Sequence, residues 1–163
     1  MLMDILIRKI RKSDLPQVMG IFQEFVQYHE NWDAIFEKVE AAAEMWGDYV
    51  FTTHSQDEKC TALVAELEGQ IVGYCLGFIT EKPPIYRSKH IGEVANIGVK
   101  EGFKRQGIGE ALFNAMMAWF ISNQVEHIEI EAATDNPQSV KFWGKMGGRE
   151  FIKRMVIPIE PQE

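Results

Sequence analysis

Lys104-Arg105-Gln106-Gly107-Ile108-Gly109 stands between an apolar run, Val94 to Val99, and an amphipathic one, Ile108 to Ile121. Strand, basic glycine-bearing turn and helix, in that order, make a cradle for a phosphate. The turn offers backbone N–H groups, and a helix N-terminus adds partial positive charge. Gly107 and Gly109 let a ligand approach the backbone, because no Cβ stands in the way. A Walker loop needs Lys-Ser or Lys-Thr after its last glycine, whereas Gly109 precedes Glu110-Ala111. A dinucleotide-binding turn needs a third glycine where Leu112 stands, and it comes early in a βαβ unit rather than after several strands.

Upstream, Asp4 to Ile10 reads as a strand. Ser13 is positioned as the N-cap of a helix carrying Leu15, Val18, Met19, Phe22 and Val26 at helical spacing. A second helix is expected from about Trp32 to Met45, ended by Gly47. Cys60 to Leu67 and Gln70 to Thr80 flank Glu68-Gly69 as a hairpin, and Glu81 to Lys89, with Pro83-Pro84, is a loop. Ile91 to Val99 is the strand before the turn. The helix after it presents Ile108, Ala111, Leu112, Ala115, Met116 and Trp119 on one face. Glu126 to Ala132 reads as a strand and Asn136 to Met146 as a helix stopped by Gly147-Gly148. Arg149 to Ile157 reads as a last strand, ended by Pro158. Helices interleaved with a run of strands indicate a mixed α/β class around one central sheet.

The 163 residues suffice for one domain with a real core, and none of the chain reads as a dividing linker, so residues 1–163 are taken as a single domain. With 46% hydrophobic and 25% charged residues the chain is ordinary globular material. A net charge of −7 argues against nucleic acid as a partner, since that binding is driven by cationic neutralisation of phosphates. Cys60 and Cys75 are too few for a disulfide framework and lack metal-ligand spacing, so no metal is expected and the expected compartment is the cytoplasm. No signal-peptide core or membrane-length apolar run is seen, and no membrane association is expected.

Val99-x-x-x-Phe103-Lys104-Arg105-Gln106-Gly107-Ile108-Gly109-x-x-Leu112 resembles the signature turn of the GNAT superfamily of N-acetyltransferases, (Arg/Gln)-x-x-Gly-x-(Gly/Ala). Asn136-x-x-Ser139-x-x-Phe142-Trp143-x-x-x-Gly147 is similar to its second motif, Asn-x-x-(Ala/Ser)-x-x-Phe-Tyr-x-x-x-Gly. Ile7-Arg8-Lys9 to Ser13-Asp14 is similar to the family's first strand and helix start. The resemblance implies a central mixed, mostly antiparallel sheet of about six to seven strands flanked by about four helices. It also implies acetyl-CoA as cosubstrate. The pyrophosphate would lie on Lys104, Arg105, Gln106, Gly107, Ile108 and Gly109, and the pantetheine arm along Ile97, Gly98 and Val99. Asn136 and Ser139 would meet the same arm, with Phe142 and Lys145 beside it. Asn136-Pro137 is equally a helix start, Asn as N-cap and Pro at the first position, and the two roles are compatible. Phe142 also suits the core. The family's homodimers make a homodimer the expectation by analogy.

Acyl transfer to an amine needs a base, because an ammonium of pKa ~10.4 leaves only about one molecule in 10³ to 10⁴ nucleophilic near pH 7. Glu93, six residues before Val99, is the candidate base; some family members carry a glutamate at the matching place. The alternative is a strand-end carboxylate facing solvent. Asn96 could orient a water or the acceptor. Trp143 replaces the family's usual acid, a tyrosine, and an indole N–H supplies no proton at useful pH. Tyr28, Tyr74 and Tyr86 are the other acid candidates. Lys104 stands at the Arg/Gln position and loses bidentate geometry. The acceptor region implied by the resemblance is 25–46 with 81–90. Tyr28, His29, Glu30, Trp32, Asp33, Phe36 and Glu37 suit a cationic amine there, and His29 and His90 are either bases or bystanders. The expected activity is transfer to a small-molecule amine. The alternatives are a protein N-terminus or lysine as acceptor, or a non-catalytic acyl-CoA-binding or regulatory module.

Overall fold

The computed structural model describes residues 4–30, 35, 37–54 and 56–159. They form two compact units, 1–131 and 132–163. The first unit holds one five-stranded sheet in the order β1 (Leu6–Lys9), β2 (Cys60–Leu67), β3 (Gln70–Glu81), β4 (His90–Val99) and β5 (His127–Ile130). All neighbours are antiparallel except β4 and β5, which run parallel. Its helices are α1 (Leu15–Glu30), α2 (Ala42–His54) and α3 (Ile108–Ser122). Among the described residues no helix is long and apolar enough to cross a membrane.

The hairpin between β2 and β3 forms where Glu68-Gly69 predicts it. Both residues take positive φ, 49° and 81°, and Leu67 pairs directly with Gln70. That is the two-residue turn whose twist matches the strands. One face of the sheet, with Ala62, Val64, Tyr74 and Leu76, packs against α1 and α2 through Val18, Ile21, Phe22, Val26 and Val50. Trp46 stacks on Phe22 at 3.9 Å between centroids and meets Tyr74 edge-on at 5.2 Å.

The other face carries α3 along a lane of glycines. A Cβ on Gly73 would lie 3.0 Å from Leu112, on Gly77 2.5 Å from the Met116 sulfur, and on Gly92 2.7 Å from the Phe120 ring. The absent side chains bring the helix close to the strands along its length. The buried stripe of α3 is Ile108, Leu112, Met116 and Phe120, with Phe113 beside it. Trp119, predicted on this face, is only half-buried.

Three expectations are corrected. The second helix begins at Ala42 rather than near Trp32, and Gly47 lies inside it. This glycine serves contact, since a Cβ there would meet the Met19 sulfur at 2.5 Å. Residues 31–34 and 36 lie outside the described residues. Ser13 does not cap α1; the Asp14 carboxylate instead accepts the Arg11 N–H at 2.7 Å. The last strand does not form: residues 149–159 have no regular structure and are exposed. The sheet therefore has five strands, because β-prone composition without a ladder partner does not make a strand.

Arg8 ties β1 to the start of α1 and to β2. Its guanidinium grips Asp14 bidentately at 2.7 and 2.9 Å and reaches Glu66 at 2.7 Å. Those bonds hold the Asp14 carboxyl below its ordinary range. The Arg8 hydrogen bonds dominate, burial opposes them, and the Arg11 N–H adds to them. A carboxyl depressed on folding stabilises above its unfolded pKa of ~3.9, and that stability is lost as pH falls through the folded value. Asp14→Ala is expected to cost about 3 kcal/mol at pH 7, because it strands part of the guanidinium. It should also flatten the acid limb below about pH 4 in urea melts recorded against pH.

Candidate active site

β4 is the strand on which the site is built. Its register with β3 passes from Leu76 opposite Asn96 to Gly77 opposite Val94, so Ala95 is an extra residue, a β-bulge. The bulge turns an odd spacing into a shared face: Glu93 and Asn96, three apart, both project toward the side of α1 and α2. The pairing with β5 stops at Val94. From Ala95 to Val99 the backbone of β4 is paired on the β3 side alone, so one edge of this stretch has no strand beside it within the first unit.

Glu93 is half-buried and accepts the Thr80 hydroxyl at 2.6 Å through Oε1. Its other oxygen takes no hydrogen bond from the described residues. Glu129 lies directly across the parallel ladder, bound by Lys82 at 3.1 Å and His127 at 3.1 Å. Burial alone would push the Glu129 carboxyl up, but the His127 and Lys82 bonds outweigh it and hold it down. Lys82 already matches the Glu129 charge, so Glu93 is the carboxylate at this end of β4 with no ion-pair partner among the described residues.

Asn96 accepts the Tyr74 hydroxyl at 2.6 Å. Tyr74 is fully buried, and burial pushes its phenol well above the ordinary value, so its proton stays on the ring and is committed to Asn96. Gly98 lies against the same ring: a Cβ there would stand 2.7 Å from it.

Beyond Val99, a 3-10 turn at Glu101–Phe103 leads into the basic turn. Arg105 at φ 61° and Gly107 at φ 84° are left-handed, and Gly107 caps α3. Three successive N–H groups, of Gly107, Ile108 and Gly109, donate no hydrogen bond among the described residues. They stand at the positive end of a 15-residue helix whose N-cap, Gly107, is left-handed. Such a nest binds an anion. Lys104 pairs with Glu101, and its ammonium sits 5.4 Å over the Tyr28 ring. Glu24 accepts the Glu101 N–H at 3.0 Å, linking α1 to the turn.

The tyrosines do not converge. Tyr28 is beside the turn, Tyr74 is under the strand, and Tyr86 is exposed in the loop before β4. His29 donates through Nδ1 to the Phe25 carbonyl at 2.8 Å, and the exposed His90 donates its backbone N–H to Glu126 at 3.4 Å. Glu30 accepts the Lys38 N–H, and Glu37 is exposed. Trp32, Asp33 and Phe36 lie outside the described residues.

The second unit carries α4 (Pro137–Lys145). The Asn136 side chain accepts the Ser139 N–H at 3.1 Å with Pro137 at the first position, so the capping role is realised. Phe142 and Trp143 meet edge-on at 4.8 Å. Gly147, at φ 94°, comes after the helix end, and the Gly148 N–H closes on the Trp143 carbonyl. Lys145 is in the last helical turn.

Sequence reading missed the Ala95 bulge, the parting of β4 from β5, and the supporting pair Thr80 and Glu129. The signal for the first was present: polar Glu93 and Asn96 break strict alternation in an otherwise apolar strand.

Residues 23–148 match the model of the acetyltransferase (GNAT) family. The chain is 30% identical over 118 residues to an N-alpha-acetyltransferase of Sulfurisphaera tokodaii, spanning 68% of this chain and 69% of that protein. Among solved structures, a point mutant of the BH1408 protein of Bacillus halodurans has a TM-score of 0.83 at 21% identity, over 95% of this chain and 99% of that one. The aminoglycoside N-acetyltransferase AAC(6')-Iy in complex with CoA has a TM-score of 0.74 at 17% identity, over 97% and 95% of the two chains.

Proposed function

The chain belongs to the GNAT acetyltransferase family and is an acyl-transferring enzyme, and from that premise we propose that it moves the acetyl group of acetyl-CoA directly to the primary amine of a small cationic molecule. The observation that carries this reading is the layout of β4 and the basic turn. The Glu93 carboxylate stands at one end, an edge with no strand beside it within the first unit lies in the middle, and an anion nest is at the other end.

In this reading the N–H groups of Gly107, Ile108 and Gly109 hold the pyrophosphate, with Lys104, Arg105 and Gln106 around it. Ile97, Gly98 and Val99 offer backbone groups to the amide-bearing arm. Acetyl-CoA supplies an activated thioester. Glu93 takes the ammonium proton on its second carboxylate oxygen while Thr80 fixes the first. A thiolate, with a reference pKa of ~8.5, departs tolerably without a proton donor. Tyr28 is the acid candidate the turn brings near. Asn136, Ser139, Phe142 and Lys145 are assigned to the same arm on the family motif alone.

A protein N-terminus is the second reading, favoured by the N-alpha-acetyltransferase relatives at 30% identity. Thiol release from acetyl-CoA, measured with aliphatic diamines, aminoglycosides and peptides bearing free N-termini, separates the two. Turnover with small amines is expected; turnover confined to peptides overturns the small-molecule assignment.

Gly107→Val tests the nest. The position has open space around it but φ of 84°, so the variant strains only the turn. A left-handed β-branched residue costs about 1–2 kcal/mol. Acetyl-CoA affinity by calorimetry is expected to fall about tenfold, and the melting temperature by roughly 3–6 °C.

A further inference from the structure

At the β1 edge of the sheet, at the end away from the basic turn, lies a recess of about 220 Å³. It is level with Glu93 but two strands removed, because Cys60 pairs with Phe78 and Phe78 with Glu93. His54, the last residue of α2, lines it and is only 5% exposed. Both ring nitrogens of His54 lack a hydrogen-bond partner among the described residues. Burial holds the imidazole below its ordinary value, against the pull of Asp57, so it is a neutral ring offering one donor and one acceptor. Leaving both unmade in a buried place is costly, and a ligand that donates to the ring's acceptor nitrogen recovers part of that cost.

The lining indicates the ligand. Asp57 and Glu58 carry two negative charges and Lys9 one positive, all exposed. The Asp57 carboxylate reaches both groups: it favours protonation at His54 and, after burial, is the second cause that raises the Cys60 thiol. Trp119 adds an aromatic wall and Thr61 a buried hydroxyl. Carboxylates with an indole suit an organic cation. Among the described residues no three His, Cys, Asp or Glu side chains are placed to hold a metal. The volume, roughly seven waters, has room for a short aliphatic chain.

We propose that this recess is a binding site for a small aliphatic ammonium ion, best a short diamine, separate from the acetyl-transfer site. One amino group donates to the His54 ring and the other faces Asp57 and Glu58. The proposal does not rest on the identity of the acetyl acceptor, and its test uses no acetyl-CoA.

1,4-Diaminobutane is titrated into the full chain while the four histidine rings are followed by NMR, with His54 assigned through His54→Gln. A saturable shift of the His54 resonances is expected, absent with potassium chloride at equal ionic strength. In Asp57→Asn/Glu58→Gln, where the Asn oxygen can still accept the Lys59 N–H that Asp57 now accepts at 2.8 Å, half-saturation is expected to rise about tenfold with the melting temperature nearly unchanged. A His54 signal that stays still at tens of millimolar diamine, that moves equally with potassium chloride, or that saturates identically in the double variant overturns the proposal.

Discussion

Glu93→Gln is expected to lower turnover by about 10²–10⁴-fold with little change in melting temperature. The substitution is isosteric, and the Thr80 hydroxyl that now meets Oε1 at 2.6 Å can still donate to an amide oxygen. The proton acceptor alone is removed. Without it the acceptor must arrive as free amine, so the rate should rise continuously with pH toward the amine's own pKa of ~10.4. Thr80→Val is the companion variant. It keeps the carboxylate and loosens its position, so it should lower kcat by less than the Gln variant and leave KM for acetyl-CoA unchanged. Stopped-flow or steady-state thiol release across pH reads both. Unchanged turnover of Glu93→Gln at every pH would remove Glu93 from the chemistry and return it to the role of a strand-end carboxylate.

Gly98→Ala is expected to destabilise the protein by about 2–3 kcal/mol, a fall of roughly 5–10 °C in melting temperature for a chain of this size. The added methyl would sit 2.7 and 3.0 Å from atoms of the Tyr74 ring and 3.2 Å from Ile21. That ring cannot step aside cheaply. It is fully buried, wedged against Trp46 at 5.2 Å, and tied through its hydroxyl to Asn96. The displacement should therefore reach Asn96 and reduce kcat as well as stability. Tyr74→Phe separates the two effects, since it removes the Asn96 bond without crowding and should cost about 1 kcal/mol. Calorimetric melts of both variants check the ranking; equal stability of Gly98→Ala and wild type would mean that the strand shifts freely under the ring.

Local rules made much of this legible in the sequence. Glu68-Gly69 forms its hairpin because a two-residue turn with two left-handed residues is a property of the dipeptide and its flanks. Asn136-Pro137 starts its helix for the same kind of reason. The glycine turn was readable because its function is carried by backbone. What escaped depends on neighbours distant in sequence. Gly47 looks like a helix stop until Met19 is placed against it. Arg149 to Ile157 has a strand's composition, but a strand is a pairing, and no ladder forms there. The Ala95 bulge is a mismatch between two strands and belongs to neither alone. The choice among Tyr28, Tyr74 and Tyr86 could not be narrowed without knowing that one is sealed inside and another lies on a loop.

The glycine lane under α3 also sets a length. Ile108 meets Gly73 near the anion nest, and Phe120 meets Gly92 beside Glu93. Twelve residues of helix separate those contacts, about 18 Å at the usual rise. Packed this closely on β3 and β4, the helix is a rigid ruler that fixes the span between the basic turn, the proposed phosphate end, and Glu93, the proposed base. A carrier must be long enough to bridge that span with an anionic group at one end and its acyl group at the other. Coenzyme A, with its extended arm, has such a reach; a compact acyl donor such as acetyl phosphate does not, whatever its reactivity. In the proposed reaction, selection of the donor is thus a matter of distance, kept by three residues that have no side chain.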